Sequence, residues 1–177
     1  LNNTREGGRG LLLGGISGVP PAKIVILGAG VVAESAIKVA LGLGASIRVF
    51  DNNITKLMRL QNSVGRHLHT SSINPVYLAY QLTSADVVIG AMHSKSGRTP
   101  IIVTEEMVSK MKEGSVIIDV SIDQGGCFET SRMTTMESPS FIKHGVIHYC
   151  VPNIASKVSR TASIEVSNII KPRLLKM

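Results

Sequence analysis

Residues Lys23 to Asp51, KIVILGAGVVAESAIKVALGLGASIRVFD, decide the fold, because they read as strand, glycine turn, helix, strand and then an acid. Gly28, Gly30 and Ala33 form GxGxxA, and Asp51 closes the second strand 23 residues after Gly28. That spacing is the dinucleotide-binding fingerprint. Gly28 allows a tight turn, Gly30 lets a pyrophosphate approach the backbone, and the small Ala33 lets the helix lie close to the strand. The helix start, at Val31 and Val32, then offers free N–H groups and the positive end of its dipole to the phosphates. Asp51 accepts hydrogen bonds from an adenosine ribose and repels a 2′-phosphate, so the expected cofactor is NAD rather than NADP. A plain structural turn between strand and helix is the competing reading.

At 177 residues the chain is about one domain, and 44% hydrophobic with 18% charged residues describes a globular chain rather than a disordered one. No apolar run approaches the ~20 residues that cross a bilayer, and no basic region followed by an apolar run opens the chain. The expectation is therefore a cytoplasmic protein without a membrane partner. Cys127 and Cys150 lack CxxC spacing and are read as reduced thiols. The net charge of +7 raises nucleic acid as a partner, but the basic residues are scattered and aromatics are 3% of the chain, so no base-stacking platform is expected.

Outward from the opening motif, residues 1–22 read as a linker and lead-in, and 23–177 as the nucleotide-binding domain. Strands are expected at Lys23–Leu27, Ser46–Phe50, His67–Ser71, Val87–Ala91, in SVIIDV (115–120) and at Val146–Cys150. Helices are expected over Val31–Leu41, Thr55–Ser63, Pro75–Thr83, Thr104–Lys112 and Ser159–Leu175, with Pro172 stopping or kinking the last. This alternation calls for an α/β fold: a Rossmann-type, doubly wound parallel sheet with helices on both faces. Ligands in such sheets sit beyond the carboxyl ends of the strands.

IIDVSIDQGGCFETS stands out there, because a strand ends in a second acid, Asp123, followed by Gln124 and two glycines. Asp123 reads either as a carboxylate that orients water or moves a proton beside the nicotinamide, or as a turn residue capping local N–H groups. Asp119 reads as structural support for it. His93 follows a strand in the cleft, as a base or a cofactor contact. His67 and His69 alternate like ligands but have no acid or Cys nearby, so no metal is expected.

These motifs, with GRGLLLGG, PAKIVILGAGVV, ADVVIGA, TEEMVSKMKEGSVIIDVSIDQGG and HGVIHYCVPN, resemble the nucleotide-binding domain of the alanine dehydrogenase family, related to the NAD-binding subunit of proton-translocating transhydrogenase. The resemblance implies that Gly28, Gly30, Val31 and Val32 hold the pyrophosphate. It places Asp51 and Lys56 at the adenosine ribose and Ser72 near the adenine, with Asn52 a further cofactor-binding residue. Ala91, Met92, His93, Val120, Ser121, Ile122, Asp123, Val151, Asn153 and Ile154 would line the nicotinamide side, with Asp123 catalytic. The implied reaction is NAD-dependent oxidation of an amino acid, L-alanine, to its 2-oxo acid. The implied family also has a substrate domain absent from these residues, and forms homo-oligomers. KSGRTP (95–100), Pro152 and Ser159 depart from the family pattern. A transhydrogenase subunit and a noncatalytic NAD-sensing module are the alternative readings.

Overall fold

The computed structural model describes residues 2–95 and 97–174. Its strands are β1 (Lys23–Leu27), β2 (Ser46–Phe50), β3 (His69–Ser71), β4 (Val87–Gly90), β5 (Val116–Asp119), β6 (Ser140–Lys143) and β7 (Val146–Tyr149). Its helices are α1 (Val31–Gly42), α2 (Ile54–Val64), α3 (Pro75–Thr83), α4 (Glu105–Ser109) and α5 (Ser159–Leu174), with 3-10 turns at Thr4–Glu6, Val120–Gln124 and Ile154–Val158. The strands form one sheet in the order β3-β2-β1-β4-β5-β7-β6. Chain order reverses between β1 and β4, and that switch point opens the crevice where the glycine turn lies.

Both faces of β1 are covered, which is why KIVIL reads as a continuous apolar run rather than an alternating one. Ile24 and Ile26 pack with Ala33 and Ile37 of α1 and with Leu57 and Leu60 of α2. Val25 and Leu27 pack on the opposite face with Leu78 and Leu82 of α3, Val108 of α4 and Phe128. Leu13 from the lead-in joins the first cluster, and Ala22 N–H bonds the Leu13 carbonyl at 3.0 Å. Three helices begin at side-chain caps: Asn53 on α2, Asn74 on α3 and Thr104 on α4, each accepting from an amide three residues on.

Apart from shifts of one or two residues at element ends, such as β3 beginning at His69 rather than His67, the structure differs from the sequence reading at three places. The sheet is not wholly parallel, because β6 pairs antiparallel with β7. The connection is the two-residue turn His144-Gly145, both at positive φ (53° and 72°), the geometry that matches hairpin twist. Helix α4 ends at Ser109 rather than Lys112, because the next amides bond three residues back, Lys110 to Met107 and Met111 to Val108. Helix α5 runs through Pro172 to Leu174, the last described residue. The described residues around Pro172 are exposed, so the carbonyl that proline leaves unpaired is open to solvent. No helix among the described residues is long and apolar enough to cross a membrane.

His148 on β7 is fully buried, with Nδ1 2.9 Å from the Val146 carbonyl and Nε2 2.8 Å from Thr130 Oγ1. A carbonyl only accepts, so Nδ1 carries a proton, and in the neutral ring Nε2 then accepts from the Thr130 hydroxyl. Burial, ahead of neighbouring cations, holds its pKa below the ordinary histidine value. When pH falls below about 6.5 the unfolded chain takes a proton that folded His148 refuses, so stability declines toward the lower folded pKa. His69 shifts the same way, chiefly through Arg48. Urea unfolding at pH 7.5 and pH 5.5 should therefore show lower stability at pH 5.5, and His148→Gln should reduce the difference between the two. An equal pH dependence in the variant would remove His148 as a cause.

Candidate nucleotide cleft

The glycine turn is built around Ala29, which is fully buried between Gly28 and Gly30. Its N–H bonds Asp51 Oδ2 at 2.8 Å, and its carbonyl accepts from Arg59 Nη2 at 3.2 Å. The other Asp51 oxygen accepts from Asn53 N–H at 2.7 Å. Asp51 therefore closes the turn between β1 and α1 as well as ending β2, and is only 7% exposed. Each carboxylate oxygen keeps further acceptor capacity. Arg59 also pairs with Glu34 of α1 at 3.0 Å, and Glu34, hydrogen-bonded first by Lys38 and then by Ser63, is held down to about 2.

Gly28 has φ 108°, and a Cβ there would lie 2.4 Å from the Ala91 carbonyl oxygen, so this position admits only glycine without distortion. A Cβ on Gly30 would meet nothing within 4 Å. Space is therefore open in front of α1, whose N-cap, Gly30, supplies no side-chain hydrogen bond to the first turn. Helices α2, α3 and α4 are capped by their own side chains, whereas the first-turn amides of α1 have no such acceptor. Free amides, a positive dipole end and open space fit a pyrophosphate.

From this turn a cleft of ≈ 530 Å³ runs across the carboxyl ends of the central strands. Among the residues expected in a site, it brings together Gly30, Val31, Val32, Lys56, Ala91, Met92, His93, Val120, Ser121 and Asp123. Val31 and Val32 are 75% and 51% exposed, an apolar surface with no cover from the domain itself. Gly28 and Asp51 lie beneath the cleft as its supports. Asn52 and Ser72 sit outside it, where Asn52 Oδ1 accepts from Ile73 N–H at 2.9 Å and ties the turn after β3 to β2. Ile122 and Val151 are buried. Asn153 and Ile154 open the last 3-10 turn, and Asn153, at φ 49°, donates its N–H to Asp123 Oδ1 at 2.9 Å. A larger hollow of ≈ 720 Å³ is lined by Asn153, by Ala155 and Ser156 of the last 3-10 turn and by one side of α5, with no contribution from the glycine turn.

Asp119 is 1% exposed and stands behind the 3-10 turn, accepting from Ser121 N–H at 3.0 Å, Cys127 N–H at 3.1 Å and Ser131 Oγ at 2.6 Å. Burial raises its carboxyl above the ordinary value, against those hydrogen bonds. Its role is structural support, as expected. Both cysteines are buried and unpaired, and burial raises each thiol. Arg59 and Gln124 were not singled out as site residues, although Arg59 holds the glycine turn and Gln124 lines the cleft. The only local signal was the place of Gln124 between Asp123 and two glycines; nothing local marked Arg59. No group of three metal-ligating side chains occurs among the described residues.

Residues 2–177 match the family described as alanine dehydrogenase/PNT, C-terminal domain. Alanine dehydrogenase 2 of Staphylococcus aureus is 44% identical over 171 residues, 96% of this chain and 46% of that protein. A solved L-alanine dehydrogenase superposes with a TM-score of 0.93 at 42% identity, over 98% of this chain and 48% of that one. The transhydrogenase of Sinorhizobium meliloti gives 0.71 at 29% identity, over 82% and 41%. The chain thus spans about half the length of the relatives it matches.

Gly28→Ala should destabilise the domain by about 1–3 kcal/mol through backbone strain alone, with the collision at Ala91 adding to it. Gly30→Ala should change stability by less than about 1 kcal/mol, because its added methyl meets open space. Denaturant unfolding of the two variants checks the contrast, and equal losses would contradict it.

Proposed function

The chain belongs to the alanine dehydrogenase/PNT C-terminal domain family, and from that premise we propose that it is the NAD-binding half of an L-alanine dehydrogenase. The reaction converts L-alanine, NAD⁺ and water into pyruvate, ammonium, NADH and a proton. One observation supports it most: the open amino terminus of α1, Lys56, Met92, His93 and Asp123 converge on a single cleft at the switch point.

The amides of Val31 and Val32 would hold the pyrophosphate, and Asp51 and Lys56 the adenosine ribose, with Ser72 toward the adenine and Asn52, beside Asp51, a further cofactor contact. Asp51 favours NAD because a 2′-phosphate would bring a second negative charge to its carboxylate. When bound, NAD supplies the hydride acceptor. Met92, His93 and Val120 would wall the nicotinamide side and exclude water from it. Asp123 Oδ1 is occupied by the Asn153 N–H, while Oδ2 has no hydrogen-bond partner among the described residues. Asp123 Oδ2 would accept a proton from the water that adds to the iminium carbon left after hydride loss.

Groups that grip the amino-acid substrate are assigned to the remaining length seen in the relatives, and the complete protein to a cytoplasmic homo-oligomer. A transhydrogenase NAD subunit is the second reading, favoured by the structural likeness to that enzyme; it would pass hydride to a second nicotinamide instead of oxidising alanine.

NADH titration of the 177-residue chain should show saturable binding and no alanine oxidation. Binding should weaken about tenfold or more in Gly30→Ala, and Asp51→Ala should lower the preference for NADH over NADPH. In the corresponding full-length protein, Asp123→Asn should lose alanine oxidation by about a hundredfold or more while NADH affinity is retained. Unchanged turnover in Asp123→Asn would overturn its assignment, and failure of the wild-type chain to bind NADH would overturn the reading as a whole.

A further inference from the structure

The 3-10 turn Val120–Gln124 uses its three-residue period to send side chains in different directions. Residues three apart in a 3-10 turn lie one above the other, so Ser121 and Gln124 share one face, and that face meets the loop after β4. Ser121 Oγ accepts from Met92 N–H at 2.9 Å and donates to the Met92 carbonyl at 3.0 Å. Gln124 repeats the pattern two residues further along: Oε1 accepts from Ser94 N–H at 3.0 Å and Nε2 donates to the Ser94 carbonyl at 3.0 Å. The main-chain carbonyl of Gln124 also accepts from Thr99 N–H at 2.8 Å, so the chain leaves at Ser94 and returns at Thr99 to the same residue. Arg98 packs its side chain over the neighbouring Gly125, where a Cβ would come within 3.0 Å of it. Strand β4 ends at Gly90, so beyond it these side chains supply the pairing that a neighbouring strand would otherwise provide. Met92 is held by the first clamp and His93 lies between the two, and both line the cleft.

We propose that Gln124 is a positioning residue: its side-chain amide, acting as donor and acceptor at once, holds Met92 and His93 in their place along the cleft. This rests on the nucleotide-binding reading only for its effect on NADH. Its geometry makes two separate demands, an acceptor for Ser94 N–H and a donor for the Ser94 carbonyl. Leucine meets neither. Glutamate meets both when protonated and loses the donor when ionised, which then brings a carboxylate against a carbonyl oxygen.

The test uses Gln124→Leu and Gln124→Glu beside the wild-type chain between pH 4 and pH 8, reading amide exchange at Ser94 by NMR and NADH affinity by titration. The charged and titratable groups around the position are Lys56 on α2, His93 and Lys95 after β4, Asp123 beside it and Arg98 over Gly125. They are common to all three proteins, so the variant profiles are read relative to wild type at each pH, with exchange rates corrected for intrinsic pH dependence. Gln124→Leu should lose Ser94 protection and about tenfold in NADH affinity at every pH. Gln124→Glu, which keeps only the acceptor when ionised, should lose NADH affinity relative to wild type at pH 8 and recover toward wild type at pH 4, while its Ser94 N–H stays more protected than in Gln124→Leu. That reversal occurs within one polypeptide, so it stands even where Gln124→Leu fails to fold. NADH affinity in Gln124→Glu equal to wild type at pH 8, no recovery of it at pH 4, or full Ser94 protection in Gln124→Leu would overturn the proposal. If wild type itself binds no NADH, the functional reading fails while Ser94 exchange still decides the clamp.

Discussion

The hydrogen bond from Ala29 N–H to the Asp51 carboxylate is the constraint on which the arrangement of the site depends. It joins the turn between β1 and α1 to the end of β2, and the turn comes within van der Waals contact of the loop after β4 at Ala91. With Asp51 below and Arg59 from the side, the Ala29 peptide is gripped at both its N–H and its carbonyl. The turn cannot relax toward an ordinary capped helix start, and α1 keeps its first amides facing open space. An aspartate that also reads ribose hydroxyls in the proposed function therefore has a structural duty that precedes ligand binding. Its substitution affects the shape of the phosphate site as well as cofactor choice.

The two ends of the cleft are built from different materials. At the phosphate end, backbone conformation does the shaping: a glycine at φ 108°, an uncapped helix, a buried alanine between them. At the far end the path of the backbone is imposed by side chains, with Ser121 on Met92, Gln124 on Ser94 and Asp123 on Asn153. Asp119 lies behind all three as a buried carboxylate satisfied by two amides and a hydroxyl. Leaving such a group with fewer partners costs more than the bonds themselves contribute, so the 3-10 turn is anchored from the inside while its outer face holds two loops.

That difference explains what could be read from the chain. Strands β1 and β2 and helix α3 fall at the expected residues, because their signals are local: apolar runs, a glycine, and asparagine followed by proline at a helix start. The cleft residues on the glycine turn follow from the motif itself, and Asp123 from its place after a strand. Strand β6 was missed because SFIK is short, and its evidence was a two-residue turn, His144-Gly145, whose positive φ at histidine is uncommon. Arg59 was missed because its partners, Glu34 and the Ala29 carbonyl, lie 25 and 30 residues away. Gln124 is a neighbour of the one acid that drew attention, yet its function depends on a loop 30 residues earlier. Contacts of that separation have no signature in spacing.

The same difference predicts how the two ends tolerate sequence change. A backbone-defined site has few acceptable residues, since any side chain at Gly28 meets a carbonyl that cannot move without shifting β4. A side-chain-defined site accepts change wherever the clamping atoms persist. The loop after His93 is placed for such change: residues 95–98 lie between Ser94 and Thr99, the two residues that Gln124 holds. Fixing the ends relieves the segment between them of any duty to shape the cleft floor. Variation there can then change the loop's own surface without disturbing Met92, His93 or the carboxylate of Asp123.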